Sequence, residues 1–194
     1  MKNEPKRSLV LTAVMIVSFL LLATIGITAQ EHSERETFQA TAMGTGTQLG
    51  RMASVNIIIE EYSTAEDQQI LVQAFDTAGM KGLCHALGKM KSKGRLSITG
   101  TLGYDVTYIR SFPTANGRKI RLVTNRAIRF GEAWTDSRSM DYSLSALELD
   151  LTKDGGGKST GVLMPACELK IGKDKQLAIE AYQNPWNLVN IQER

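Results

Sequence analysis

The chain is expected to fold as an α+β domain dominated by an antiparallel β meander, closed like a barrel or packed as a two-sheet sandwich. A helical pair at about residues 64–90 is inserted after the first long strand. Three observations lead there. Apolar residues recur at every second position through most of the chain beyond Gly94, the period of half-buried strands. The stretch from Ile70 to Leu87 instead repeats its apolar residues at helical spacing. Clusters of Gly, Asn and Asp separate the alternating runs at Asn116-Gly117, Asp154 to Gly157 and Gly172 to Lys175.

The first element is an address rather than part of the fold. Lys2, Lys6 and Arg7 precede a run from Ser8 to Thr28 that holds no charge, the layout of a secretory signal. Ala29 is the expected cleavage point, although Ile27 is larger than the ideal cleavage pattern has. The run also reaches the ~20 residues of a membrane-spanning helix, so residues 8–28 retained as an anchor are the alternative. Either way the domain is expected outside the cytoplasm, in the periplasm or the extracellular space. Residues 30–36 read as a charged, flexible tether, and residues 37–194 as a single β-rich domain large enough for one hydrophobic core.

Phe38 to Met43 is a weak strand candidate, and Ser54 to Tyr62 a strong one, with Val55, Ile57 and Ile59 on one phase. Ser63-Thr64-Ala65-Glu66 has the spacing of a capping box in which Ser63 and Glu66 satisfy backbone N–H groups of the first turn. Ile70, Leu71, Ala74, Phe75 and Ala78 follow as one stripe, and Gly79 is placed to supply a left-handed C-terminal residue. Met80, Leu83, Cys84 and Leu87 form the stripe of a second, shorter helix. Asp105 to Phe112 and Lys119 to Thr124 should form a hairpin, its turn built on Asn116-Gly117. Leu147, Leu149 and Leu151 alternate with Glu148 and Asp150 before the glycine turn leads to Gly161 to Ile171. Leu177 to Ala181 and Leu188 to Ile191 complete a set of eight to ten strands.

Several motifs that invite a chemical reading do not sustain one. Gly155 to Thr160 resembles the end of a phosphate loop, but the required first glycine falls at Thr152 and two strands flank it where a helix should follow. Cys84 and His85 are a nucleophile and a base by type, yet neighbours on a helix point about 100° apart and do not face each other. His85 and His32 are the two histidines of the chain, too few for a histidine-built zinc site, and no cofactor is expected. Cys84 and Cys167 both fall on apolar phases, as buried thiols or as a candidate disulfide tying helix to sheet. Tyr104, Tyr108, Trp134 and Trp186 fit a core as well as a pocket.

One charge pattern stands out. From Thr77 to Gly131 there are eleven Lys or Arg against one acid, whereas both flanking segments of the mature chain are net acidic. Lys89, Lys91, Lys93, Arg95, Arg110, Lys119 and Arg121 could therefore form a basic face for an anionic lipid, an acidic glycan or a small anion. The bland alternative is that acidic strands lie beside basic ones and form ordinary cross-strand pairs. Nucleic acid is not an expected partner of an exported chain.

The runs Leu102-Gly103-Tyr104-Asp105-Val106-Thr107-Tyr108 and Thr124-Asn125-Arg126-Ala127-Ile128, leading to Glu132-Ala133, together with Leu147 to Leu151, carry a resemblance. The chain resembles a group of uncharacterised exported bacterial proteins of similar length. That resemblance implies export and a β-rich fold and transfers no site residue. The expected function is a non-enzymatic periplasmic or envelope module that binds an apolar or anionic ligand or a partner protein. The alternatives are a hydrolase-type enzyme with a carboxylate, Tyr and Arg site, and a structural protein tethered to the membrane.

Overall fold

The computed structural model describes residues 35–128, 144–153 and 158–194. The signal segment, most of the tether, Glu132-Ala133, Trp134 and the Asp154 to Gly157 turn lie outside the described residues. The chain from Ser33 to Arg194 is one compact unit.

Nine strands, one α-helical element and a short 3-10 helix (Gly46–Gln48) make up the described fold: β1 (Glu36–Gly44), β2 (Met52–Ile59), α1 (Ala65–Lys89), β3 (Gly94–Ile98), β4 (Tyr104–Thr114), β5 (Gly117–Thr124), β6 (Leu144–Thr152), β7 (Thr160–Ile171), β8 (Leu177–Gln183) and β9 (Trp186–Glu193). Strands β1 to β7 pair antiparallel in chain order, β7 pairs with β9, and β9 returns to β1. Eight strands thus close a barrel. Strand β8 lies against the C-terminal half of β7 from Ala166 to Ile171, and β9 takes over the same edge from Gly161 to Leu163. The chain passes from one to the other through Asn184, at φ 45°, and Pro185.

An eight-stranded barrel is about wide enough for its own side chains to fill. Inward positions carry Phe38, Val55, Ile57, Ile59, Leu96, Ile109, Ile120, Leu122, Leu147, Leu149, Leu163, Trp186 and Leu188, all buried in one cluster. Each such side chain contributes roughly 1.5–3 kcal/mol when fully removed from water. A second apolar cluster lies outside the wall. Leu71, Leu83 and Leu87 of α1 meet Tyr108, Val123, Leu144, Ala146, Met164, Cys167, Leu169 and Leu177 there. The outward phases of β4 to β8 are apolar where α1 lies and charged beyond it, so the helix finds its place by burying the apolar part.

Four local expectations are corrected. The capping box is Thr64 with Asp67, one residue later than the spacing around Ser63 implies. The Ser63 hydroxyl accepts instead from the Ile109 N–H at 2.9 Å, and the Ser63 N–H donates to the Ile109 carbonyl. Strand β3 pairs with β4 only as far as Val106, so this stretch of β4 would otherwise be bare, and a buried Ser63 completes it. Within α1, Ala78 (φ −142°, ψ 18°) and Gly79 (φ 58°, ψ −144°) leave helical conformation. That ψ is not the left-handed C-cap value but belongs to a region open essentially to glycine alone.

The β4–β5 turn centres on Ala115-Asn116, and neither Asn116 nor Gly117 has a positive φ. Gly117 is needed for close approach: a Cβ there would lie 1.9 Å from the Leu151 carbonyl oxygen of β6. Glu36, expected in the tether, opens β1. Its phase, shared with Phe38 and Ala40, turns it into one end of the barrel.

Candidate functional site

Two polar clusters are built by this fold, and they differ in whether their donors are already used. The first closes one end of the barrel. Arg118 donates from Nη1 to Glu36 Oε1 at 3.0 Å and from Nη2 to Glu36 Oε2 at 2.8 Å, a bidentate pair. The Tyr62 hydroxyl donates towards the same carboxylate at 3.1 Å and accepts from Arg118 at 3.3 Å. Glu193, near the C-terminus, stands 3.7 Å from Arg118 Nη2. Burial, and then the adjacent Glu36, push the Tyr62 phenol well above its ordinary range. A tyrosine held protonated and a carboxylate held by a guanidinium satisfy one another. The cluster seals the barrel end more than it offers reactive groups.

The second cluster lies on the outer wall, where the start of α1, strands β4 and β5, and the β7–β8 turn meet. Outward positions of β4 carry Tyr108, Arg110 and Phe112, and those of β5 carry Lys119, Arg121 and Val123. Arg110 and Arg121 are directly opposed in the register. Arg121 is well partnered: it donates from Nε to Glu148 Oε1 at 2.6 Å, donates to the Leu177 carbonyl, and lies 5.3 Å from the centre of the Phe112 ring. Arg110 donates to the Ser63 carbonyl at 3.0 Å, while its Nε is buried without a partner among the described residues.

Beneath them the Tyr108 hydroxyl is buried and also has no hydrogen-bond partner among the described residues. Burial raises its pKa against the opposing pull of Arg110 and Arg121, while Asp67 and Asp174 act in the same direction as burial. The turn beyond β7 is drawn in from both sides, since Gln68 of α1 donates to the Lys175 carbonyl at 2.7 Å and Arg121 to that of Leu177. Between those two anchored carbonyls, Gln176 has a side-chain oxygen that is likewise buried and, among the described residues, unpartnered. Buried polar atoms are ordinarily paired, so three unused atoms on this corner of the wall single it out.

The residues expected to form one basic face lie on α1, in the segment before β3, on β3, and on β4 and β5. Lys93 is 7% exposed and holds Asp67 at 3.0 Å and Glu61 at 3.2 Å. Its burial opposes the charge, but hydrogen bonds to the two carboxylates outweigh that and raise its pKa. Arg95 lies 3.7 Å from Asp105, and Lys119 lies 3.9 Å from both Glu148 and Asp150. Lys89 and Lys91 are exposed. The acidic alternation of β6 falls opposite the basic one of β5, with Arg121 facing Glu148 and Lys119 facing Asp150. Of the seven, Arg110, Lys119 and Arg121 share the outward face of β4 and β5, with Arg110 and Arg121 directly opposed.

An open groove of about 400 Å³ runs along the outer wall from Lys119, Glu148 and Asp150 to Val162 and Val189. Its charged side consists of residues already ion-paired. Among the described residues no group of three or more His, Cys, Asp or Glu is arranged to hold a metal ion. No described helix is long and apolar enough to cross a membrane. Cys84 is half-buried and His85 exposed, on different faces of α1. Cys84 and Cys167 are both thiols in this structure and belong to the same apolar cluster. Tyr108, which fitted core or pocket in the sequence, is buried in the apolar cluster beneath α1, whereas the sequence carries no signal for Glu36 with Arg118 because only barrel closure joins β1 to β5. No protein-family model, curated protein or solved structure matches this chain.

Proposed function

We propose that this chain is an exported, non-enzymatic binding module of the cell envelope, and that an anionic group of its ligand docks on the outer wall at Arg110. The observation that carries this reading is that Arg110 stands directly opposite Arg121 yet has no carboxylate partner among the described residues. Like charges opposed across a strand pair repel. A carboxylate, sulfate or phosphate beside Arg110 would relieve that repulsion, and the Tyr108 phenol is a second donor close by.

Export rests on the basic stub and uncharged run of residues 1–28. A binding rather than catalytic role follows from the composition of the corner, which offers donors without a nucleophile and base in contact. We also read α1 as two helical halves folded back at Ala78-Gly79, because Lys93, beyond its C-terminal end, reaches Asp67 in its first turn. That arrangement sets the start of α1 against Arg110. An apolar ligand is less favoured, since the barrel interior is occupied by the chain's own side chains. A hydrolase-type site would have to use Glu36, Tyr62 and Arg118, which are engaged with one another.

Calorimetric titration of the chain with inorganic phosphate and with acetate at low ionic strength tests the proposal. Saturable binding of at least one anion, lost in Arg110→Gln, is the expected result. Absence of saturable binding, or binding unchanged in the variant, would overturn it.

A further inference from the structure

The fold brings Cys84 and Cys167 into one apolar cluster although four strands, β3 to β6, separate them along the chain. Cys84 lies beside Leu83 and one turn before Leu87, the buried leucines with which α1 meets the barrel wall. Cys167 is fully buried on β7, opposite Leu144 of β6 on one side and Tyr182 of β8 on the other. The helix packs on β7.

We propose that these two residues are a redox modification site, closing as a disulfide that locks the second half of α1 onto the outer wall of the barrel. The first half of α1 is held by polar contacts, Asp67 to Lys93 and Gln68 to the Lys175 carbonyl. The second half is held through the packing of Leu83 and Leu87, and it follows the break at Ala78-Gly79. A covalent bond at Cys84 fixes the less tethered part.

The oxidant is a disulfide, either a small one such as oxidised glutathione or that of a dithiol oxidase. The Cys84 thiolate attacks one of its sulfurs, forming a mixed disulfide and releasing the other sulfur as a thiol. Cys167 then loses its proton, its sulfur attacks that of Cys84, and the second thiol of the oxidant leaves. Two electrons and two protons pass from the cysteine pair to the oxidant. Access sets this order, because Cys84 is half-exposed and Cys167 is not. Burial, and then the neighbouring Cys84, push the Cys167 thiol up to about 12, which makes the closing step the slow one.

The full chain, purified in reduced form, is equilibrated with oxidised glutathione, quenched in acid, unfolded, alkylated and weighed. The expected product is a monomer that takes no alkyl label and yields a peptide joining Cys84 to Cys167. Its thermal midpoint should exceed that of the reduced chain by on the order of 10 °C. Cys84→Ser should fold, keep Cys167 unmodified in the native state, and melt alike with and without oxidant. A stable glutathione adduct at Cys84 with Cys167 still open to alkylation after unfolding would overturn the proposal. Disulfide-linked dimers as the main product would do the same.

Discussion

Arg110 and Arg121 face each other directly across β4 and β5, and Arg121 alone of the two has a carboxylate against it among the described residues. Their loss should therefore have opposite consequences. Arg110→Gln removes one of two opposed charges and an Nε that is buried without a partner among the described residues, against the loss of the bond to the Ser63 carbonyl, so unfolding free energy should change by less than about 0.5 kcal/mol or rise slightly. Arg121→Gln strips Glu148 and the Leu177 carbonyl of a partner and should cost roughly 1–2 kcal/mol, allowing for partial solvent screening. Urea unfolding of the two variants beside the parent chain checks this. Equal destabilisation would mean that Arg110 is held by contacts as strong as those of Arg121.

The cap of α1 makes stability sensitive to acid. Burial works against the Asp67 carboxylate, but the Thr64 backbone N–H and then Lys93 outweigh it and hold the pKa below its ordinary value. A group depressed in the folded state contributes stability above its unfolded pKa and loses it as pH falls through the folded one. The urea midpoint should therefore drop below about pH 4, and Asp67→Asn should flatten that part of the curve. At neutral pH the variant should cost about 1 kcal/mol through the lost cap and ion pair.

Alkaline conditions act on the barrel end. The Tyr62 pKa is raised in the folded chain, so the unfolded chain releases the phenolic proton first, and stability present at neutral pH declines as pH rises above about 10. Cys167 adds to the decline from about pH 9 upward by the same sign. Tyr62→Phe should weaken the pH dependence above pH 10 (about the ordinary tyrosine value) relative to the parent chain. Denaturant midpoints across that range measure it, and an unchanged slope would show that Tyr62 ionises as it does in the unfolded chain.

Two glycines should respond to alanine for different reasons. Gly117→Ala sets a Cβ 1.9 Å from the Leu151 carbonyl, so β5 must move away from β6, at a cost of roughly 2–4 kcal/mol. Gly79→Ala meets open space but forces a side chain into φ 58°, ψ −144°, costing about 1–3 kcal/mol. Thermal unfolding should rank Gly117→Ala as the more damaging. Loss of helical signal without loss of the β-sheet signal is expected only for Gly79→Ala.

The local pattern alone carried much of the fold. Alternation in the runs around Ile57, Leu122, Leu149 and Leu169 located strands, because a strand with one face on a core must repeat every second residue. The leucine stripe of α1 was legible for the corresponding helical reason. Strand ends and caps were less so: Ser63 has the composition of a cap, but its hydroxyl is committed to Ile109, a residue far along the chain. Asn116-Gly117 suggested a turn type, whereas Gly117 answers to the approach of Leu151.

The charge asymmetry shows the same division most clearly. Its existence was fixed by composition, but whether it made a surface depended on which strands became neighbours. The meander set β5 beside β6, so that Lys119 and Arg121 meet Asp150 and Glu148, and the path of the chain out of α1 drew Lys93 to Asp67. Barrel closure joined Glu36 to Arg118, and Arg110 has no carboxylate partner among the described residues. Side-chain periodicity is a property of a few consecutive residues and can be read along the chain. Charge neutralisation and polar satisfaction depend on residues distant in sequence, and only the tertiary structure decides them.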